Sequence, residues 1–292
     1  MGEISTSGWN KQLMSSKLVH ISASPEDFAR TPMAGLHLAG DLRTIFANLH
    51  KDTLLSCCDR ITESPKPVNV NNNQAAGTYF PANVTVQNPC STKADFTPLK
   101  PQCLMEELAQ RLPEETRFLI DTGNAFSWAT HYLFLKKTGK QRSSFTFGAM
   151  GWAIGAAIGT ALANREAPVV CLTGDGSYLM SGQEITVAVE KQLPVIFAVL
   201  NDQAYGMIKH GQRLSGAEPI GFELPPVDFA MVAQGLGAQA FTIRSVKDFQ
   251  ALDIDQICNA NKPTLLDIHI DPEEVPPIGT RVKTLSGMNK ST

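Results

Sequence analysis

The chain has 292 residues, 43% of them hydrophobic, enough for one large domain with a real core plus a piece of a second. A formal net charge of −3 gives no reason to expect nucleic acid or an anionic membrane surface as a partner. Six cysteines without a CxxC spacing make a zinc site or a disulfide framework unexpected, and with no bilayer-length apolar run and no signal-like start the default location is cytoplasmic.

In chain order, Lys17 to Ser22 reads as a strand, with Gly40-Asp41 ahead of a helix over Leu42 to Leu49. From Thr62 to Pro101 the texture changes to scattered proline and asparagine with little periodicity, which reads as a linker. Beyond it helices and strands alternate. Helices are expected at Cys103 to Leu112, Ala125 to Lys137, Gly151 to Asn164, Gly182 to Lys191, Val227 to Leu236 and Val246 to Ala260. Strands are expected at Arg117 to Ile120, Ala167 to Thr173, Leu193 to Leu200, Gln239 to Ile243 and Thr264 to Ile270. The alternation predicts an α/β, doubly wound parallel sheet at 102–292, after a linker at 63–101 and the end of an α/β middle domain at 1–62.

Two polar turns stand out at strand ends. Ala167 to Thr173 stops at Gly174-Asp175-Gly176-Ser177; Ser181-Gly182-Gln183-Glu184 reads as a capping box for the next helix, and Leu193 to Leu200 ends in Asn201-Asp202. Parallel sheets bind ligands at the carboxyl ends of their strands, and magnesium takes hard oxygen ligands, one or two of them carboxylates, beside phosphate oxygens and water. A magnesium-diphosphate site is the reading this layout favours; ordinary turns, filled by the same residue types for backbone reasons, are its rival.

The segment resembles the signature of thiamine-diphosphate enzymes, Gly-Asp-Gly followed across a strand-helix-strand spacer by Asn-Asn or a close variant, and is most similar to the large, catalytic chain of acetolactate synthase. Phe147-Gly148-Ala149-Met150-Gly151, Gln183-Glu184, Gly206-Met207-Ile208-Lys209-His210 and the tail Asp271 to Pro277 extend the likeness. The resemblance implies thiamine diphosphate and Mg2+ as cofactors, with the side chains of Asp175 and Asp202 and the carbonyl of Ala204 on the metal. A register one residue earlier would make Asn201 the ligand. Gly123, Asn124 and Ser127 fall on the diphosphate-contacting loop, although Asn124 equally suits a helix cap. Gly148 falls where a carbonyl accepts from the pyrimidine amino group, and Met150 where a bulky side chain wedges the cofactor into a bent shape, a position a core gap-filler would also suit. Ala149, Gly174, Gly176 and Ser177 complete the loops around the cofactor, and Tyr205, Gly206 and Met207 line its thiazolium side.

The implied activity is carboligation or decarboxylation of a 2-oxo acid, in which the cofactor carries the chemistry and the protein holds and orients it. The family's proton relay starts from a glutamate on a pyrimidine-binding domain with no counterpart in residues 1–100. The chain is therefore expected to be a fragment or one subunit of a split enzyme, working as a dimer or tetramer or with a partner chain that carries that domain. Whether FAD binds is left open. Gly211 stands where the acetolactate synthases place a pocket tryptophan, and Lys209 and His210 lie near where a substrate carboxylate would dock, or are ordinary surface residues. A non-catalytic regulatory subunit and an unrelated magnesium-dependent phosphate enzyme are the other readings. The absence of GxxxxGK[ST] stands against a nucleoside-triphosphate version of the last.

Overall fold

A computed structural model describes residues 16, 19–26, 34–41, 43–45, 47–48, 90, 97–137, 139–144 and 147–278. Most of the expected linker, Cys57, Cys58, Arg281 and Lys283 lie outside them. The chain divides into two compact units, Met1–Asn72 with Gly279–Thr292, and Asn73–Ile278. In the first, β1 (Val19–Ser22) pairs in parallel with β2 (Leu36–Ala39). Helical residues follow at 43–45 and 47–48, headed by Asp41, whose Oδ1 accepts from the Thr44 amide at 2.8 Å and its hydroxyl at 2.9 Å.

The second unit holds a six-stranded, wholly parallel sheet in the order β4-β3-β5-β6-β8-β7. Its strands are β3 (Arg117–Ile120), β4 (Gln141–Arg142), β5 (Val169–Gly174), β6 (Val195–Asn201), β7 (Gln239–Ile243) and β8 (Thr264–His269). The central strands are near-continuous apolar runs because both faces are covered. Period-two alternation divides them between two cores: Val170, Leu172, Ile196, Ala198 and Leu266 face one, while Val169, Cys171, Val195, Phe197 and Leu265 face the other. The first core is closed by α1 (Pro101–Arg111), α2 (Asn124–Tyr132), α8 (Val246–Gln250) and α9 (Ile254–Cys258). The second is closed by α3 (Trp152–Ala163), α4 (Asp175–Ser181), α5 (Ile185–Glu190) and α7 (Phe229–Gly235). Helices on both faces of a parallel sheet make the expected doubly wound α/β fold.

Four sequence expectations are corrected. The helix expected to run from Val246 to Ala260 is two, because Asp253 caps α9 by accepting from the Gln256 amide at 2.9 Å and Arg111 takes the carbonyls of Phe249 and Leu252 where α8 ends. The Ser181 capping box does not form: Ser181 closes α4 without a side-chain cap bond, and a 3-10 turn at Gly182–Glu184 leads into α5. Gly182 suits that turn because a Cβ there would lie 2.5 Å from the Tyr178 ring. A helix not expected from the sequence, α6 (Gly206–Ser215), follows β6 and ends on the left-handed Gly216. Finally, Cys90 and Cys103 form a disulfide, since the first turn of α1 brings their Cα atoms within 5.0 Å despite the absence of any CxxC spacing.

Candidate functional site

Leaving β3, the chain runs first outward to the edge strand β4 and only then back to β5, on the other side of β3. The strand order therefore reverses at the carboxyl ends of β3 and β5, and ligands of open α/β sheets bind at such a switch point. A cavity of about 290 Å3 opens there, and its wall is built from the segments that follow β3, β4, β5 and β6, with Ile270 after β8.

After β3, Asp121 is fully buried and accepts from the Thr122 amide at 3.1 Å, the Gly151 amide at 2.8 Å and the Thr173 hydroxyl at 2.8 Å. Gly123 then turns with φ 89°, a conformation that favours glycine, so that α2 can start at Asn124. Asn124 makes no capping bond, and its buried Oδ1 has no hydrogen-bond partner, an orphan acceptor aimed into a polar site. After β5, α4 begins at once with Asp175, so Gly-Asp-Gly is a first helical turn rather than a free loop. The Asp175 carboxylate accepts from the Gly176 amide at 2.7 Å and the Ala204 amide at 3.3 Å, which ties the ends of β5 and β6 together.

Asn201 is committed elsewhere. Its amide donates to the buried Asp267 carboxylate at 2.8 Å and to the Val227 carbonyl at 3.5 Å, while Asp202 lines the cavity beside Asp175. Burial raises both carboxyls above the ordinary range, and in Asp202 the charge of Asp175 raises it further. Two like charges withdrawn from water are relieved by a divalent cation, whose own charge inverts the local balance. Among the described residues no group of three or more His, Cys, Asp and Glu could hold a metal ion, so a cation here would draw its other ligands from backbone, phosphate and water, as magnesium does. Asn124 Nδ2 and Asp202 Oδ2 crowd Gly206, where a Cβ would lie 2.4 and 2.6 Å from them. The Tyr205 ring covers Gly176 in the same way, its Cε1 lying 2.7 Å from where a Cβ would stand. The residues present therefore fit a magnesium-bound diphosphate.

Of the site residues expected from the sequence, Gly123, Asn124, Gly148 and Met150 line the cavity together with Gly174, Asp175, Gly176 and Ser177. Asp202, Ala204, Tyr205, Gly206 and Met207 line it from the β6 side. Ser127 is buried one turn into α2, Ala149 is exposed, and neither of them nor Asn201 reaches the cavity wall. Thr122, Ala125, Leu200, Ile208 and Ile270 also line it. Thr122 adjoins the recognised Gly123-Asn124 pair, and Ile208 lies in the recognised Gly206 to His210 segment, but its turn toward the cavity was not legible because the helix α6 was not foreseen. Lys209 is not available to a substrate carboxylate: its buried ammonium donates to the Pro272 carbonyl at 2.9 Å and Glu273 at 2.6 Å and sits over the Phe222 ring. His210 is buried beside it, and burial first, then the charges of Lys209 and Arg213, lower its pKa.

Residues 121–268, which hold nearly all of this wall, match the family described as thiamine pyrophosphate enzyme, C-terminal TPP binding domain. The chain belongs to this family of thiamine-diphosphate enzymes. It is 30% identical over 188 residues to the acetolactate synthase isozyme 1 large subunit of Escherichia coli, covering 64% of this chain and 33% of that one. With a probable acetolactate synthase large subunit of Methanococcus aeolicus it shares 27% identity over 276 residues, 89% of this chain and 45% of the relative. The chain thus spans less than half the length of these relatives. The fold is similar to that of a thiamine diphosphate-dependent 4-hydroxybenzoylformate decarboxylase from Rhodococcus jostii, with a TM-score of 0.65 over 87% of this chain and 44% of that one at 20% identity. In these thiamine-diphosphate enzymes the matched domain binds the cofactor, and here it is the domain that carries the paired carboxylates.

Proposed function

We propose that this chain is the cofactor-holding half of a thiamine-diphosphate- and magnesium-dependent enzyme that decarboxylates or carboligates 2-oxo acids. The observation that carries the reading is the convergence of Asp175 and Asp202 with Gly148 and Met150 on one cavity at the sheet's switch point. Asp175, Asp202 and the Ala204 carbonyl would hold the magnesium, and the Asn124 side chain, through its amide nitrogen, and the first turn of α4 would meet the diphosphate. Gly148 would accept from the pyrimidine amino group, Met150 would support the bent shape, and Tyr205 to Met207 would flank the thiazolium ring. When bound, the cofactor supplies the nucleophilic, electron-accepting centre that the side chains of this protein lack.

The likeness to acetolactate synthase large chains favours a 2-oxo acid as donor. Catalysis requires a pyrimidine-binding domain, supplied by a second copy of a longer chain or by a partner, in a dimer or larger assembly. No described helix is long and apolar enough to cross a membrane. A cytoplasmic setting is the one we favour, and the Cys90–Cys103 disulfide, a bond more common in oxidising compartments, is the feature that stands against it.

Carbon dioxide release from a panel of 2-oxo acids tests the proposal. The chain is assayed alone, and mixed with an intact homologue whose own Gly-Asp-Gly aspartate has been replaced by alanine. Turnover in the mixture alone is the expected result. Cofactor uptake without turnover in any mixture would instead make the chain a non-catalytic regulatory subunit.

A further inference from the structure

Asp121 is fully buried, and no cation is paired with it among the described residues. An ionised carboxylate in such a place is costly unless hydrogen bonds satisfy it. Its three donors come from three separate stretches of chain, each bordering the cavity: the Thr122 amide after β3, the Gly151 amide next to Met150, and the Thr173 hydroxyl one residue before Gly174-Asp175. The Gly151 turn is also clamped from its far side. Gly151 has φ 85°, and a Cβ there would lie 2.6 Å from Ser181 Oγ and 3.0 Å from Ser181 Cβ, so its backbone is seated against α4.

From this geometry, and resting on the thiamine-diphosphate reading above, we propose that Asp121 is a positioning residue. Its carboxylate fixes the left-handed turn that presents Gly148 and Met150 to the organic part of the cofactor. No hydrogen bond joins it to Asp175, whose carboxylate is held by the Gly176 and Ala204 amides, so the metal end of the cavity leans on Asp121 less than the Gly148–Met150 turn does. Asparagine has nearly the same shape but carries a donor in place of one acceptor oxygen. The Gly151 amide and the Thr173 hydroxyl share Oδ2 while the Thr122 amide takes Oδ1, so an asparagine that keeps its oxygen at the Oδ2 position would spare the turn, whereas Asp121→Ala removes both oxygens and releases it with the fold's apolar core unchanged.

The test is titration calorimetry of the full chain in magnesium with two probes, thiamine diphosphate and inorganic pyrophosphate. Asp121→Ala is expected to weaken thiamine diphosphate about tenfold, the equivalent of about 1.4 kcal/mol, while pyrophosphate stays within about twofold. Gly151→Ala, which disturbs the same turn from the α4 side, is expected to show the same selective loss, and Thr173→Val, which removes one donor only, a smaller one. These two variants decide the matter if Asp121→Ala does not fold. Unchanged thiamine diphosphate affinity in the variants overturns the proposal, as does a parallel loss of both probes, which would mark a merely structural carboxylate. A wild-type chain that binds pyrophosphate but not thiamine diphosphate would refute the cofactor reading itself, and this inference with it.

Discussion

Asp175 is buried and Asp202 half-buried beside it, at a net electrostatic cost to the ligand-free chain. Asp202→Asn removes one of the two like charges without changing shape, so the metal-free chain should gain stability, by about 1 kcal/mol at neutral pH. The same variant should lose most of its magnesium affinity, and thermal melts with and without magnesium would show both effects. A variant that is no more stable than wild type without metal would mean that the pair is already relieved by its hydrogen bonds. Gly206→Ala should abolish cofactor binding with the fold intact, because its methyl would displace Asn124 and Asp202. Residue types at strand ends were legible in the sequence because the proposed magnesium site calls for oxygen ligands there. What could not be read was which neighbour turns inward: Asn201 or Asp202 is decided by Asp267, a buried partner 66 positions away that no local pattern links to the site.

Among the elements, five of the six strands of the sheet were legible, whereas β2, the two-residue β4 and the helix ends were not. β7, a half-exposed strand at the sheet's edge, lies where its flanking turns put it. The helices depended on local contests of hydrogen bonding. Ser181-Gly182-Gln183-Glu184 satisfies the capping-box pattern, but Asp175 had already started a helix upstream. The break between α8 and α9 is held by Asp253 and by Arg111 from a distant helix. Asp253→Ala should cost about 1 kcal/mol, typical of a lost N-cap, read as a lower midpoint in chemical denaturation. An unchanged midpoint would assign the break to Arg111 alone.

At the scale of the whole unit, the segment after β8 ties the cavity wall to the rest of the domain. Lys100, just before α1, pairs with Asp271 at 2.6 Å and Glu274 at 2.5 Å, and Glu273 takes Lys209 at 2.6 Å and Arg213 at 2.5 Å, both on α6. Those two cations hold the Glu273 carboxyl down at about 2, below the ordinary glutamate value. A carboxyl depressed in the folded state stabilises above its unfolded pKa and loses that contribution as pH falls toward the folded one. Glu273→Gln should therefore be less stable than wild type near neutrality, by a few tenths of a kcal/mol because Glu273 is largely exposed and solvent screens it. The difference should shrink as pH falls from about 4.5 toward 2, and also with added salt. Melts that stay offset by the same amount across that range would contradict the ion-pair account.

The switch point of the sheet, the family match over residues 121–268 and the paired carboxylates meet at the one cavity where we propose that the cofactor binds. Titration calorimetry with thiamine diphosphate in the presence and absence of magnesium, on the wild type and on a double variant carrying Asp175→Ala and Asp202→Ala, tests this most directly. Binding that requires magnesium and disappears in the double variant is the predicted result. Equal affinity without the metal, or undiminished affinity once both carboxylates are gone, would contradict it.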